Sequence, residues 1–221
     1  MIAYKFLAAG ATGPFTGCSW PVPGPRTPGP WLAAPAGDLA RYGVHACALE
    51  DLSSWPDEEL WLVELSGTVL REASQLVAAR GRLLERIAAW NAESAHDYAA
   101  ACAWRARDLA VEALGGGVLA AADALRACTD LVSLQATATA LAGDVRPGDP
   151  RALVAYVAGA AIRARQGRYP EASLQSAHLG AALAGTDVGA EHERAWQSRW
   201  LAERLQLRDV EARAGVDAPA V

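Results

Sequence analysis

The chain has 221 residues, 52% of them hydrophobic and 20% charged, with a formal net charge of −5 and a pI near 5.4. That length buries a working core as one domain or two small ones, and the acidity argues against a general nucleic-acid partner, which needs a basic surface. No apolar run reaches the ~20 residues that span a bilayer, and Met1 to Leu7 carry no basic leader, so no membrane and a cytoplasmic setting are expected. Lys5 is the only lysine; arginine and alanine abound instead, a composition that looks like the codon bias of a high-GC bacterium and sets a bacterial source as the expectation. Alanine also favours helix.

Ile2 to Leu7 predicts an opening strand, with Tyr4 and Phe6 alternating against Ala3 and Lys5. Gly10 to Pro35 holds Pro14, Pro21, Pro23, Pro25, Pro28, Pro30 and Pro35 among glycines. Proline at that density forbids helix and removes ladder donors. An ordered irregular loop pinned by Phe15, Trp20 and Trp31 is expected, because disordered segments rarely carry so much aromatic surface. Ala36 to Arg41 is a connector. Tyr42-Gly43-Val44-His45-Ala46-Cys47 reads as a strand that places His45 and Cys47 on one face. Ala48 to Trp55 predicts helical turns ended by Pro56. Asp57, Glu58 and Glu59 lead into a strand over Leu60 to Leu65, and Ser66-Gly67 reads as a turn.

Thr68 to Trp90 is compatible with two patterns. Leu70, Ala73, Val77, Leu84 and Ile87 suit helical spacing, with Gly81 as an interruption. Strands are favoured, because the earlier strands need partners to form a sheet. From Asn91 the chain reads as helix. Ala95, Tyr98, Cys102, Ala106, Leu109 and Ala113 form a stripe at three- and four-residue steps, ended by Gly115-Gly116-Gly117. Val118 to Ala142 predicts a second long helix with a break near Thr129-Asp130. Asp149-Pro150 opens a helix that stops at Gln166-Gly167; Pro170 restarts it and Gly185 stops it again. Asp187 opens a last helix with Trp196, Trp200 and Leu207 on one side. Gly167 to Ala172 is like the turn of a tetratricopeptide pair, but no recurrence at ~34 residues accompanies it.

The fold class expected is α+β: a small N-terminal β-sheet with a Pro/Trp-rich loop, packed on a mostly α-helical C-terminal half. The regions are 1–90 around the His-x-Cys strand, 91–210 helical, and a flexible tail over 211–221.

His45 and Cys47 are the densest usable chemistry. They are weak metal candidates, to be completed by Cys18 or by His96 and Cys102, since zinc sites want such side chains but normally four of them. A buried histidine with a backbone partner and a buried reduced thiol is the commoner outcome. Glu50, Asp51, Glu58, Glu59 and Glu64 supply nearby carboxylates, which beside turns are usually solvated. Trp20, Trp31, Trp55 and Trp61 could line a pocket for a planar ligand or form the core of a small sheet. Arg80, Arg82 and Arg86 are the local basic cluster. Arg80 and Arg82 share a face if extended and would grip a phosphate or carboxylate. Gly115-Gly116-Gly117 follows a helix and lacks the lysine of a phosphate loop.

The segment Gly43-Val44-His45-Ala46-Cys47, with Val63-Glu64-Leu65-Ser66-Gly67 after the acidic stretch, resembles a group of uncharacterised bacterial and phage proteins sharing a Gly-x-His-Ala-Cys motif. Arg82 to Trp90 is similar to the same group. The resemblance covers the N-terminal half and brings no activity with it. The order of elements also faintly resembles ADP-ribosyltransferase-like folds, which imply a nicotinamide dinucleotide cleft. Lys5 stands where that likeness implies an Arg or His on the first strand, and the late catalytic Glu of that pattern has no counterpart.

The function expected is a non-catalytic binding or accessory protein, with Trp20, Trp31, His45, Arg80 and Arg82 as ligand-binding candidates and no cofactor. The alternatives are an enzyme with a nucleotide cleft in which His45 is the catalytic candidate, and a metal-binding protein using His45 and Cys47. Trp196 and Trp200 are candidate anchors of a homodimer.

Overall fold

A computed structural model describes residues 1–143, 145–146 and 148–208. The chain is α+β, with an antiparallel sheet near the N-terminus and helices mostly in the C-terminal half. It divides into two compact units: Met1–Asn91 with the chain from Ser198 on, and Ala92–Gln197. The end of the last helix, from Ser198, is grouped with the sheet unit. The tail expected over 211–221 lies outside the described residues. Among the described residues no helix is long and apolar enough to cross a membrane.

The sheet unit contains β1 (Ile2–Leu7), β2 (Leu32–Ala33), α1 (Leu39–Tyr42), β3 (Val44–Ala46), a 3₁₀ segment Leu49–Ser54, β4 (Glu59–Glu72) and β5 (Gln75–Arg86). β4 lies between β1 and β5, and the far edge of β5 is shared by β3 and β2. His45 faces Val77 in that register, and Leu32 faces Gly81. Cys47 then pairs with Tyr4, exchanging backbone hydrogen bonds of 2.8 and 2.9 Å, so the β3 side of the sheet returns to β1.

The strand assignment agrees with the structure over Thr68 to Arg86, apart from the reversal at Ala73-Ser74, and Ile87 to Trp90 is not strand; the turn at Ser66-Gly67 is not borne out. β4 runs through those residues to Glu72, and the chain reverses at Ala73-Ser74. Gly67, at φ +83°, sits instead in a register shift between Ser66 and Val69. Such a bulge bends a strand without ending it. Gly81 is no interruption either. A Cβ there would stand 2.7 Å from Val44 Cγ1, so the missing side chain leaves room for Val44 of the neighbouring β3.

One face of the sheet buries Ala3, Leu7, Val44, Ala46, Val63, Leu65, Leu76, Ala78 and Leu83 with Trp20 and Trp61. Each leucine so buried contributes roughly 1.5–3 kcal/mol. The opposite row includes Tyr4 and Phe6, also buried. Phe6 meets Trp90 edge-on with ring centres 5.5 Å apart. Tyr4 donates its hydroxyl to the Arg208 carbonyl at 2.8 Å, and Ser198 Oγ accepts the Ser53 amide at 3.1 Å. These bonds explain why the chain from Ser198 groups with the sheet.

The proline-rich loop is held by backbone bonds more than by its aromatics. Trp20 N–H reaches the Ala11 carbonyl, Gly29 N–H the Leu83 carbonyl and Ala34 N–H the Ala79 carbonyl, each at 2.8 Å. Trp20 is buried as expected. Phe15 is 85% exposed and pins nothing to the core; its ring meets Trp55 edge-on at 6.4 Å.

The helical unit comprises α2 (Ala92–Leu114), α3 (Leu119–Arg126), α4 (Leu131–Ala142), a 3₁₀ turn Pro150–Leu153, α5 (Val154–Arg165), α6 (Tyr169–Ala184) and most of α7 (Asp187–Arg204). The break expected near Thr129-Asp130 separates α3 from α4. Asp130 caps α4 by accepting the Val132 and Ser133 amides at 2.8 Å. On α2 the buried stripe includes Ala95, Tyr98, Cys102 and Ala106, then Ala110 and Leu114; Leu109 is half-buried and Ala113 exposed, contrary to the expected stripe. The unit's core is largely alanine, which lets helices approach closely. At the tightest crossing, a Cβ on Gly180 of α6 would lie 2.6 Å from the Gly189 carbonyl oxygen of α7.

Candidate functional site

The register of the sheet brings three of the sequence candidates together. Arg82 stands opposite Glu64 across β4 and β5, and Arg80 opposite Ser66. Arg82 grips Glu64 through Nε at 2.7 Å and Nη2 at 2.6 Å. Arg80 donates to Ser66 Oγ at 3.2 Å. Trp31, the residue before β2, lies against both guanidinium groups, 4.5 Å from Arg82 and 4.9 Å from Arg80. Its position follows from the chain: Leu32 pairs with Gly81, the residue between the two arginines. A guanidinium near an indole face is attracted by the ring quadrupole.

The two arginines differ in what remains available. Arg82 is half-buried and neutralised by Glu64. Arg80 is exposed and, among the described residues, makes no ion pair. Trp31 keeps 36% of its surface exposed. The cluster therefore presents a cation with free donors beside a flat apolar ring. An anionic group attached to a planar one is the chemistry that matches it. Arg86, the third member of the basic cluster, points to Glu59 at 3.5 Å instead.

His45 and Trp20 have other partners. His45 Nδ1 hydrogen-bonds Gln75 Oε1 at 3.0 Å, and its carbonyl accepts from Lys5 Nζ. Trp20 packs in the sheet core with the Lys5 ammonium 4.9 Å from its ring centre. Cys47 donates its thiol to the Tyr4 carbonyl at 3.5 Å. Burial, with Asp51 and Glu50 adding to it against Lys5, pushes that thiol up to about 12, so it is protonated near neutrality. Among the described residues His45 and Cys47 gather no third metal-ligating side chain, so the metal alternative lacks the set that such a centre needs. The remaining indoles are also engaged: Trp55 Nε1 donates to the Ser74 carbonyl at 2.7 Å, and Trp61 Nε1 to Glu59 at 3.0 Å.

Sequence reasoning missed a buried polar cluster in the helical unit. Gln197 of α7 donates to the Ser173 carbonyl at 2.9 Å and to Ser176 Oγ at 2.8 Å, and accepts from the Tyr98 hydroxyl at 3.4 Å. Arg105 of α2 clasps Glu193 of α7 with contacts of 2.7 to 3.2 Å. Burial pushes Cys102 up to about 12 and Tyr98 well above its usual value. The available signal was the four-residue step from Glu193 to Gln197, which places two polar groups on one helix face. The satisfied network selects one pairing of α2, α6 and α7. Of the dimer candidates, Trp196 is half-buried and lies 5.5 Å from the Arg105 guanidinium, and Trp200 is half-buried. An open hollow of about 360 Å³ between Tyr156, His178, Thr186 and Asp187 had no signal in the sequence.

The chain matches no known protein family, no curated protein and no solved structure.

Proposed function

We propose that the protein is a non-catalytic binding or accessory protein whose recognition face is formed by Trp31, Arg80 and Arg82. The observation that carries this reading is Arg80, an exposed guanidinium beside Trp31 with no carboxylate partner among the described residues. Arg82, paired with Glu64, lies 4.5 Å from the same ring. The ligand class is a carboxylate or phosphate joined to a planar ring. A nucleotide falls in that class, but His45, the catalytic candidate of the enzyme alternative, is occupied by Gln75. The reduced cysteines suit a cytosolic setting.

Phenyl phosphate and inorganic phosphate are the discriminating probes, titrated into the full chain with calorimetric detection. Saturable binding of phenyl phosphate, weaker binding of phosphate, and a loss of about tenfold in affinity in Arg80→Ala are expected, since a charge-assisted bond contributes ~1.5–3 kcal/mol. Identical titrations for wild type, Arg80→Ala and Trp31→Ala would end this reading.

A further inference from the structure

The turn from α6 into α7 leaves a hollow of about 360 Å³ between α5, the end of α6 and the start of α7. Gly185 makes that turn possible: it ends α6 at φ +66°, a left-handed conformation that a side chain would strain. Ala181 and Ala182 form part of the wall, and their small side chains leave the volume open. Four polar side chains line the rest: Tyr156 of α5, His178 of α6, Thr186 between the helices and Asp187 of α7. Tyr156 and His178 meet steeply, with ring centres 6.4 Å apart and planes at 71°, so they form an aromatic corner. Tyr156 is half-buried and the other three are exposed. None of the four side chains has a hydrogen bond or ion pair among the described residues. Asp187 differs in this from the other carboxylates of the same helix pair, since Glu171 holds Arg168 at 2.6 Å and Glu193 holds Arg105 at 2.7 Å.

We propose that this hollow binds a small quaternary ammonium ion, with the Tyr156 and His178 rings as its aromatic walls and Asp187 as the counter-charge. The sign of the ligand follows from Asp187. A helix N-terminus attracts anions, but Asp187 already places a carboxylate in the first turn of α7, so an anion would meet like charge. No arginine or lysine lines the hollow to offset that repulsion. A cation is attracted by the carboxylate and by the ring quadrupoles together. The degree of substitution follows from the walls. A primary ammonium carries three N–H donors that each need an acceptor when water is shed. A methylated nitrogen has none, and its methyl groups can rest against Ala181 and Ala182, where burial of apolar surface is favourable. The volume lies at the small end of the ~300–1,000 Å³ of ligand sites, which suits a compact headgroup. The net charge of −5 favours the approach of a cation. This site lies in the helical unit and does not depend on the Trp31–Arg80–Arg82 face.

The test is calorimetric titration of the full chain with choline at constant ionic strength. The control ligand is 3,3-dimethylbutan-1-ol, which has the shape of choline without its charge. Choline should saturate a single site in the millimolar range or tighter, and the alcohol should bind at least about tenfold more weakly. Asp187→Asn, an exposed change checked by thermal melting to be folded, should weaken choline about two- to fivefold. Tyr156→Leu, checked in the same way, should weaken it roughly two- to thirtyfold. Arg80→Ala should leave the choline titration unchanged. Absence of saturable binding up to choline concentrations on the order of 50 mM overturns the proposal. So does equal binding of the uncharged alcohol, or a choline affinity that Asp187→Asn leaves unchanged.

Discussion

The carboxylate of Glu59 accepts the indole N–H of Trp61 at 3.0 Å, two residues along the same strand. The same carboxylate receives the backbone amides of Gly10 at 3.2 Å and Ala11 at 3.1 Å, while Glu58 takes Ala9 at 2.6 Å. The acidic pair read from the sequence as a solvated lead-in is what anchors the start of the proline-rich loop.

Glu59 makes the sheet acid-sensitive. Burial raises its carboxyl, but the donors Trp61, Gly10 and Ala11 with Arg86 outweigh burial and leave it below the usual value. A carboxyl depressed in the folded state stabilises above its unfolded value and loses that contribution as pH falls through its folded value. Glu59→Gln should cost about 1–3 kcal/mol at pH 7. The difference from wild type should shrink progressively below about pH 4, as measured by urea unfolding. A constant difference down to pH 2 would contradict the assignment.

Thiol reactivity should separate the cysteines. Cys18 is exposed, whereas Cys47 and Cys102 are buried and each held up to about 12. Native protein treated with iodoacetamide at pH 7.5 should label at Cys18, and at Cys47 and Cys102 only after denaturation. Prompt native labelling of Cys47 would show a strand pairing different from Tyr4–Cys47.

The α6–α7 crossing tolerates no added methyl. Gly180→Ala would push a Cβ against the Gly189 carbonyl, whereas a Cβ on Gly116 meets nothing within 4 Å. Gly180→Ala should lower stability by about 1–3 kcal/mol and Gly116→Ala should be close to neutral, as read by thermal melting.

Removing Arg105 strands a carboxylate. Glu193 is 3% exposed, and Arg105 is its partner. Arg105→Ala should cost about 2 kcal/mol, less than the 3–5 of a fully enclosed pair because the guanidinium keeps contact with water. Replacing both residues, Arg105→Leu with Glu193→Leu, should recover much of that loss in denaturant melts.

We propose that the protein forms a homodimer through Trp196 and Trp200. Light scattering should find a dimer for the wild type and a monomer for Trp200→Asp. A wild type that stays monomeric at high concentration removes the idea.

Local chemistry was legible in the chain. The alternation of Ile2 to Leu7, the cap at Asp130 and the stops at Gly115 and Gly185 rest on interactions within a few residues, so periodicity and residue type determine them. The α+β class followed, because a period of two gives way to steps of three and four after Asn91. What depended on distant residues was not legible. Ser66-Gly67 looked like a turn because a bulge and a turn draw on the same glycine, and only pairing with β5 distinguishes them. Arg80 and Arg82 could be placed on one face from their spacing, but Trp31 lies far from them in sequence, and the Leu32–Gly81 register alone brings the indole onto them. Lys5 likewise reads as one polar position in a strand until folding places His45 and Trp20 around its amine. The burial that lowers its proton affinity belongs to the assembled sheet, since strand register and loop closure create an environment that no short stretch of the chain contains.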